Sequence, residues 1–335
     1  MNSKIKFGVV GLGHIGKRHA AMISGNNESE LVAVCDVLPK EETGFSGNIP
    51  YYKNILDLLK NHSDIDVVNI CTPNGLHGSQ CISALDHFKH VVVEKPMALD
   101  KSTCEDILFK SLQTSKNVFC VKQNRYSSPS VWIKEVIEHG VLGKIFHVQL
   151  NCYWNRDSRY YKADNWKGTK DLDGGTLFTQ FSHFIDIMYW LFGDIKNIQA
   201  KFNDFNHNDI TEFEDSGIVS FDFVKEGSGC LNYSTSVYGE NLESSMTIIA
   251  ENGSVKIGGQ YMDIVEYCNI RNYSMPKLDP VNPPNDYGPY KGSAANHHYV
   301  IENVIDTLKG RKTITTNALE GMKVVEIIER IYNLK

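Results

Sequence analysis

The chain has 335 residues, of which 41% are hydrophobic and 22% charged, with a formal net charge of −6. That length exceeds one comfortable core and predicts two domains of an ordinary soluble globular protein. The acidic balance excludes bulk attraction to nucleic acid, and no apolar run approaches the ~18–20 residues of a membrane span. The opening MNSKIKFGVVGLG has too short an apolar stretch to read as a secretory leader. Eight cysteines are scattered without a C-x-x-C pair, several inside apolar runs such as VAVCD and VVNICT. This is the pattern of reduced, buried thiols in a cytoplasmic protein, with neither a disulfide framework nor a metal site.

Residues 4–10 (KIKFGVV) form an apolar strand, followed by GLGHIG at 11–16, a helical pattern to about Met22, and a second strand, LVAVCD, ending at Asp36. A G-x-G-x-x-G that follows a strand, opens a helix and meets an acid at the end of the next strand predicts a dinucleotide site. Gly11 permits the tight turn, Gly13 lets the backbone approach a pyrophosphate, and Gly16 lets helix and strand pack closely. His14 and Ile15, between these glycines, belong to the same phosphate-facing loop, where the helix N-terminus offers free N–H groups. Asp36 is placed to accept from the adenosine ribose hydroxyls and to repel a 2′-phosphate. NAD is therefore the expected cofactor, ahead of NADP.

Further strands read at 67–72, 90–96 and 117–124, separated by helical segments such as 78–87 and 102–114. Continuous apolar strands of this kind suit a doubly wound parallel sheet, with ligands beyond the carboxyl ends of the strands. Thr72, Pro73, Asn74 and His77 fall there, as do Glu94 and Lys95, and Gln123 ends the last strand. All are expected cofactor-site residues. The first domain is 1–123.

From 144 to about 270 strand-like segments dominate: KIFHVQLNCYW, IKNIQAKF, SGIVSFDFV, GCLNYSTSVYG, SMTIIA and SVKIGG, with a hairpin turn at ENG 251–253. This predicts an antiparallel sheet in a second domain, 124–335, which also serves as a homodimer or homotetramer face. Two helices close the chain, at about 295–309 and 317–332, the last packing back on the first domain. NHHY at 296–299 puts two histidines on different helix faces, poor geometry for joint metal binding.

Between the first of these strands and a buried helix lies YWNRDSRYYKADNWKGTK (153–170), with five Lys/Arg and five Tyr/Trp. Such a loop suits one nucleotide, with cations on a diphosphate and aromatics on a base or sugar face. Arg156, Arg159, Trp166 and Lys167 are its substrate-binding candidates, and Arg125 and Tyr126 join them from the end of the first domain. The helix itself, GGTLFTQFSHFIDIMYW, carries Thr179, Gln180, His183 and Asp186 at i, i+1, i+4 and i+7 among large apolar residues, which puts the four on one face.

GLGHIGKRH, CTPNGLH, EKPMA and LDGGTLFTQFSHFIDIMYWLFG resemble, in order and spacing, the motifs of the Gfo/Idh/MocA oxidoreductases, from about residue 5 to 195. The resemblance implies an α/β protein: a Rossmann domain followed by an α/β domain built on a large, open, mainly antiparallel sheet. It implies NAD(P)-dependent oxidation of sugars or cyclitols. It assigns catalytic roles to Lys95, near nicotinamide and substrate, and to His183. Thr179 and Gln180 join Lys95 and His183 in the substrate set. Thr179 stands where the family has an Asp, which removes an Asp–His pair. The TQ variant of an amide–Gln pair, with the aromatic–basic loop, resembles the branch acting on UDP-N-acetylglucosamine or its uronate at C3. A cyclitol or free-sugar dehydrogenase, an enzyme that recycles its NAD in place, and a silent NAD-binding regulator remain alternatives. Either His183 or Lys95 can be the base on this reading.

Overall fold

The computed structural model describes residues 3–162, 165–288 and 290–335. Ala163 and Asp164 of the aromatic–basic loop lie outside the described residues. The chain divides into two compact units, Met1–Lys122 with His297–Val325, and Gln123–Asn296 with Glu326–Lys335.

The first unit holds a six-stranded sheet: β1 (Ile5–Val10), β2 (Ser29–Cys35), β3 (Tyr51–Tyr52), β4 (Val67–Ile70), β5 (His90–Val93) and β6 (Val118–Cys120). Their order is β3-β2-β1-β4-β5-β6, and every neighbouring pair is parallel. The chain therefore winds outward in both directions from β1 and β4, the topology that opens a ligand crevice at the strands' carboxyl ends. Val67, Val68, Ile70, Val91, Val92 and Val93 are fully buried, as strands covered on both faces require. The connecting helices are α1 (His14–Gly25), the single turn α2 (Lys40–Thr43), α3 (Ile55–Asn61), α4 (His77–Asp86) and α5 (Lys101–Thr114). Side-chain acceptors cap two of them: Asn54 takes the Asp57 amide at α3 and Asp100 the Thr103 amide at α5.

The second unit begins with α6 (Ser128–Glu138) and is built on seven strands: β7 (Ile145–Tyr153), β8 (Ile195–Asn203), β9 (Ser216–Phe223), β10 (Ser228–Ser234), β11 (Glu243–Ala250), β12 (Gly253–Gly258) and β13 (Ile264–Ile270). Their order is β13-β12-β11-β7-β10-β9-β8. β7 and β10 pair in parallel and all other neighbours are antiparallel. The α/β class and the large, mainly antiparallel second sheet are as the sequence predicts. β11 and β12 meet at the expected turn, with Ala250 opposite Gly253. The sequence reading misses β13, an edge strand whose Ile264 and Tyr267 stay half exposed, so its pattern carries little alternation. It also misses the short hairpin of β14 (Pro284–Asp286) and β15 (Lys291–Ala294), hidden in a Pro- and Asn-rich tract.

One face of the second sheet, carrying Val148, Leu150, Val219, Leu231, Met246 and Ile248, is buried. α7 (Ser182–Phe192) supplies Phe184, Ile185, Ile187 and Met188 to the core of this unit. Two helices follow, α8 (His297–Leu308) and α9 (Ala318–Tyr332). All of α8 and the first half of α9 belong to the first unit. The eight cysteines form no disulfide, and six are buried. No helix among the described residues is long and apolar enough to cross a membrane.

Candidate active site

The candidate residues fall into two sets, one in each unit. In the first, the loop between β1 and α1 is shaped by its glycines. Gly11 sits at φ 88°, in the left-handed region, and a Cβ there would press on the Cys71 backbone. A Cβ on Gly16 would run into the Gly11 carbonyl oxygen, whereas one on Gly13 would meet nothing within 4 Å. Gly13 is therefore the residue that leaves space open at the start of α1. It caps that helix with no side-chain acceptor, and no acid occupies the first turn. Open room in front of uncapped amides, with His14 and Ile15 leading the helix, fits a pyrophosphate.

Asp36, half buried, takes the Leu12 amide on Oδ2 at 2.6 Å and the Leu38 amide on Oδ1 at 2.9 Å. These bonds aim its carboxylate from the end of β2. The glycine loop and the acid thus fit a dinucleotide by the chemistry of their donors and acceptor.

Beyond β4, Thr72 and Pro73 are half buried and Asn74 is buried; the Thr72 hydroxyl donates to Gln80 at 2.6 Å. His77 is fully buried between two carbonyl oxygens, Pro96 O at 2.7 Å and Thr72 O at 2.9 Å. Burial holds its pKa below the ordinary value although both carbonyls favour the protonated ring. It ties the loop after β4 to the loop after β5.

After β5, Lys95 is half buried and its amide donates to Glu94 Oε2 at 3.2 Å. Glu94 itself is buried, and His19 Nε2 lies 3.0 Å from its Oε1. Asn69 presents its amide nitrogen to His19 Nδ1 at 2.8 Å, the contact made when the ring proton sits on Nε2 and points at the carboxylate. His297 Nε2 lies 3.6 Å from the same Oε1. Burial works to raise the Glu94 pKa, but the His19 hydrogen bond and the neighbouring positive fields outweigh it, so the carboxyl titrates well below the usual range. Burial presses His297 down to about 3. The sequence reading treats Glu94 as a cofactor contact and NHHY as a helix start; it does not bring His19, Asn69 and His297 to Glu94. The ligand atoms of His19, Glu94 and His297 lie within 4.8 Å of one another, a spacing that can also hold a cation. The His19 Nε2–Glu94 Oε1 contact, at 3.0 Å, has hydrogen-bond length.

In the second unit the polar residues of the 174–190 segment find separate partners. Leu177–Phe181 form a π-turn, which inserts a residue into the helical repeat before α7 begins at Ser182. The regular single-face spacing is thereby broken. Thr179 donates to the carboxylate of Asp173 and to its carbonyl oxygen. Gln180 accepts from Arg156 Nε at 2.9 Å. His183, 4% exposed, has Nε2 at 3.3 Å from the Gln123 amide nitrogen. Asp186 binds Arg125 through two oxygens, at 2.9 and 2.7 Å, and both side chains are buried. Arg125 also lies over the Trp190 ring. Tyr126, next to it, is half buried. With Nε2 unprotonated, His183 accepts from the Gln123 amide nitrogen and has the form a proton acceptor needs.

The aromatic–basic loop is more internal than its composition indicates. Arg156, expected as an open cation, is 2% exposed. Its guanidinium donates to Gln180, to the Asn155 and Lys291 carbonyl oxygens and to Asn241, between the rings of Trp154, Tyr160 and Tyr290. Arg159 is exposed and pairs with Asp157 at 2.7 Å. Lys167 donates to the Tyr290 hydroxyl at 2.9 Å, and Trp166 is half buried. A cavity of about 320 Å³ runs along this loop, lined by Lys162 and Lys167 but also by Asp209 and Glu212. His183 and Gln123 are not among its lining residues.

A parallel sheet of order 3-2-1-4-5-6 with this glycine loop defines an NAD-binding Rossmann oxidoreductase. Residues 5–123 match the oxidoreductase family with an NAD-binding Rossmann fold, and residues 131–256 match the GFO/IDH/MocA C-terminal domain. The chain belongs to the GFO/IDH/MocA family of oxidoreductases. It is similar to the WlbA dehydrogenase of Bordetella pertussis, solved with NADH and UDP-GlcNAcA, at TM-score 0.87 and 29% identity over 99% of this chain and 96% of that one. It is equally similar to the WlbA dehydrogenase of Chromobacterium violaceum, solved with the same two ligands, at TM-score 0.87 and 30% identity over 100% and 94%. Among curated proteins, inositol 2-dehydrogenase of Salmonella typhimurium is 27% identical over 205 residues, 59% of this chain and 58% of that protein.

Proposed function

We propose that this protein is an NAD-dependent dehydrogenase that oxidises a secondary hydroxyl carbon, C3, of a UDP-N-acetylated hexose or its uronate. The observation that carries the reading is the end-to-end likeness to two dehydrogenases solved with NADH and UDP-GlcNAcA. NAD⁺ supplies the hydride acceptor when bound; Gly11, Gly13, Gly16, Asp36 and the loops after β4 and β5 hold it. Asp36, aimed by the Leu12 and Leu38 amides, favours NAD over NADP. His183, through its unprotonated Nε2, takes the hydroxyl proton. Lys95 donates to the same oxygen and offsets its developing negative charge. Gln180 and Thr179, beside His183 in sequence, and the 153–170 loop contribute to the sugar and nucleotide positions. Arg156 orders that loop from inside, while Lys167, Lys162 and Arg159 are its outer cations.

A cyclitol dehydrogenase is the second reading, favoured by the match to inositol 2-dehydrogenase. Thr179 stands where the resemblance expects an Asp and is bonded to Asp173, and the Gln123 amide faces His183, an arrangement that disfavours that reading. We further propose a cytoplasmic homodimer or homotetramer that associates through the second sheet, whose outward Ile218 and Ile249 stay exposed.

The test is incubation of purified protein with NAD⁺ and UDP-N-acetylglucosaminuronate, UDP-N-acetylglucosamine, inositol and hexoses. NADH absorbance and product mass are both followed, since in-place recycling hides net NADH. A 3-keto UDP sugar is expected, with UDP alone competing. Lys95→Ala and His183→Ala should each slow turnover by about 10²-fold or more. Oxidation of inositol with no response to UDP sugars overturns the proposal.

A further inference from the structure

The last residues of the sequence, Glu326–Lys335, belong to the second unit and take no part in the proposed chemistry, yet they meet the segment that carries Gln180 and His183. The first N–H groups of a helix have no carbonyl ahead of them in that helix. Thr176, at the N-cap of the π-turn, gives no side-chain cap. The Leu177 amide donates instead to the Tyr332 hydroxyl at 2.9 Å. That hydroxyl accepts there and places its own proton on Glu214 Oε1, at 2.7 Å. Burial, reinforced by Glu214, pushes the Tyr332 phenol well above its ordinary value, so the proton stays. Glu214, 4% exposed, is itself fixed: its Oε1 also takes the Tyr233 hydroxyl at 2.9 Å and its Oε2 the Lys335 ammonium. Its backbone carbonyl oxygen takes the Thr176 hydroxyl at 2.6 Å. Thr176 and Leu177, consecutive at the helix entry, are thus tied to one buried residue. The Tyr332 ring has little room to move. A Cβ on Gly175, at φ 128°, would stand 2.6 Å from its hydroxyl oxygen, and the Phe178 and Phe202 rings lie 5.7 and 5.9 Å away between centroids.

We infer that Tyr332 is a positioning residue for Gln180 and His183: its hydroxyl, held by Glu214, locks the π-turn that sets their relative placement. The π-turn carries one residue more than a regular helical turn. Expelling that residue would turn the chain on one side by about 100° round the helix axis relative to the other. Gln180 lies inside the turn and His183 beyond it, so their mutual geometry depends on the turn being kept. Its far end is fixed by the buried Asp186–Arg125 pair, its near end by Thr176 and Leu177. Two fixed ends leave the extra residue no exit. Gln180 then keeps Arg156 at 2.9 Å, and His183 keeps Gln123 at 3.3 Å. In the setting of the proposed dehydrogenase, on which this role rests, Gln180 meets the sugar and His183 takes its proton.

Two variants separate positioning from plain stability. Tyr332→Phe and Tyr233→Phe each keep a buried ring and each remove one hydroxyl from the same Glu214 oxygen. Only the first also leaves the Leu177 amide without its acceptor.

The test is hydrogen–deuterium exchange of the full-length protein, read by mass spectrometry over the peptides that cover 177–183. It needs no substrate, so its outcome is separable from that of the functional proposal. In the wild type the segment should exchange slowly. In Tyr332→Phe it should exchange about tenfold faster or more, the scale of the lost hydrogen bonds, and in Tyr233→Phe at the wild-type rate. Thr176→Val removes the other tie and should act as Tyr332→Phe does; it decides the matter if Tyr332→Phe does not fold. Fast exchange of the segment in the wild type overturns the inference without any variant. Equal exchange in Tyr332→Phe and Tyr233→Phe makes Tyr332 a structural anchor only and overturns it as well. With a turned-over substrate in hand, kcat/KM should fall by about tenfold or more in Tyr332→Phe and little in Tyr233→Phe, the mark of a misplaced group. Equal rates in the two variants would refute the assignment.

Discussion

The two units present their candidate groups by different means. In the first, the dinucleotide loop is made of backbone: a left-handed Gly11, an open Gly13 and the uncapped start of α1. In the second, the candidate groups are side chains held by other side chains. His183 faces Gln123, Asp186 grips Arg125, and Gln180 takes Arg156, with partners 60, 61 and 24 residues away in the chain. A site of backbone amides tolerates changes that spare the glycines. A site of interlocked side chains is only as sound as its least replaceable pair.

That contrast breaks first at the Arg125–Asp186 pair. Both side chains are 1% exposed, so removing one partner leaves a buried charge. Arg125→Met should cost about 3–5 kcal/mol, read by chemical denaturation, and the double variant with Asp186→Leu should recover most of it. A loss below about 1 kcal/mol in the single variant would mean that the helix does not depend on the pair.

A smaller effect separates two glycines three residues apart. Gly16→Ala should destabilise by about 2–3 kcal/mol, since its Cβ meets the Gly11 carbonyl. Gly13→Ala should leave the melting temperature unchanged but weaken NAD binding by about tenfold in calorimetry, because the added methyl fills only ligand space. Equal effects on stability would show that Gly13 is structural.

The smallest effect tests whether the first unit also depends on a partly buried side chain. His90, at the start of β5, accepts the Asn117 amide at 3.0 Å, and burial, reinforced by Lys116, lowers its pKa to about 4. The unfolded ring titrates near 6.5, so between 6.5 and 4 the unfolded chain binds the extra proton. This contribution is complete above pH 6.5 and is lost as pH falls toward 4. Allowing for partial exposure it amounts to about 1–2 kcal/mol. His90→Asn keeps the acceptor and should flatten the acid loss across that window, measured by urea denaturation at stepped pH.

The same contrast explains what could be read in advance. GLGHIG with Asp36 twenty residues on is a local pattern whose consequence is local. A turn, a helix start and a strand end follow from nearest-neighbour sterics, and the parallel order follows from the βα alternation. The strands of the second sheet were legible as alternation wherever one face is buried, and illegible at β13, where most residues stay exposed or half exposed. The helix at 174–190 was legible as apolar and buried, but its π-turn was not, because one inserted residue leaves no mark in composition. Arg156 illustrates the limit most plainly. A basic residue among aromatics reads as a ligand cation, and the fold instead surrounds it with Trp154, Tyr160 and Tyr290 and occupies its donors.

The sequence by itself therefore determined the class of fold and the glycine loop and nominated Lys95 and His183 as candidates, because each is announced by a short pattern. Only the tertiary structure decided which partners those residues keep. It set His19 and His297 around Glu94, Asn69 against His19, and Gln123 against His183, from positions 50 or more residues apart. Hydrogen bonds and charges act over a few ångströms of space, and that distance is fixed by how the sheets and helices pack.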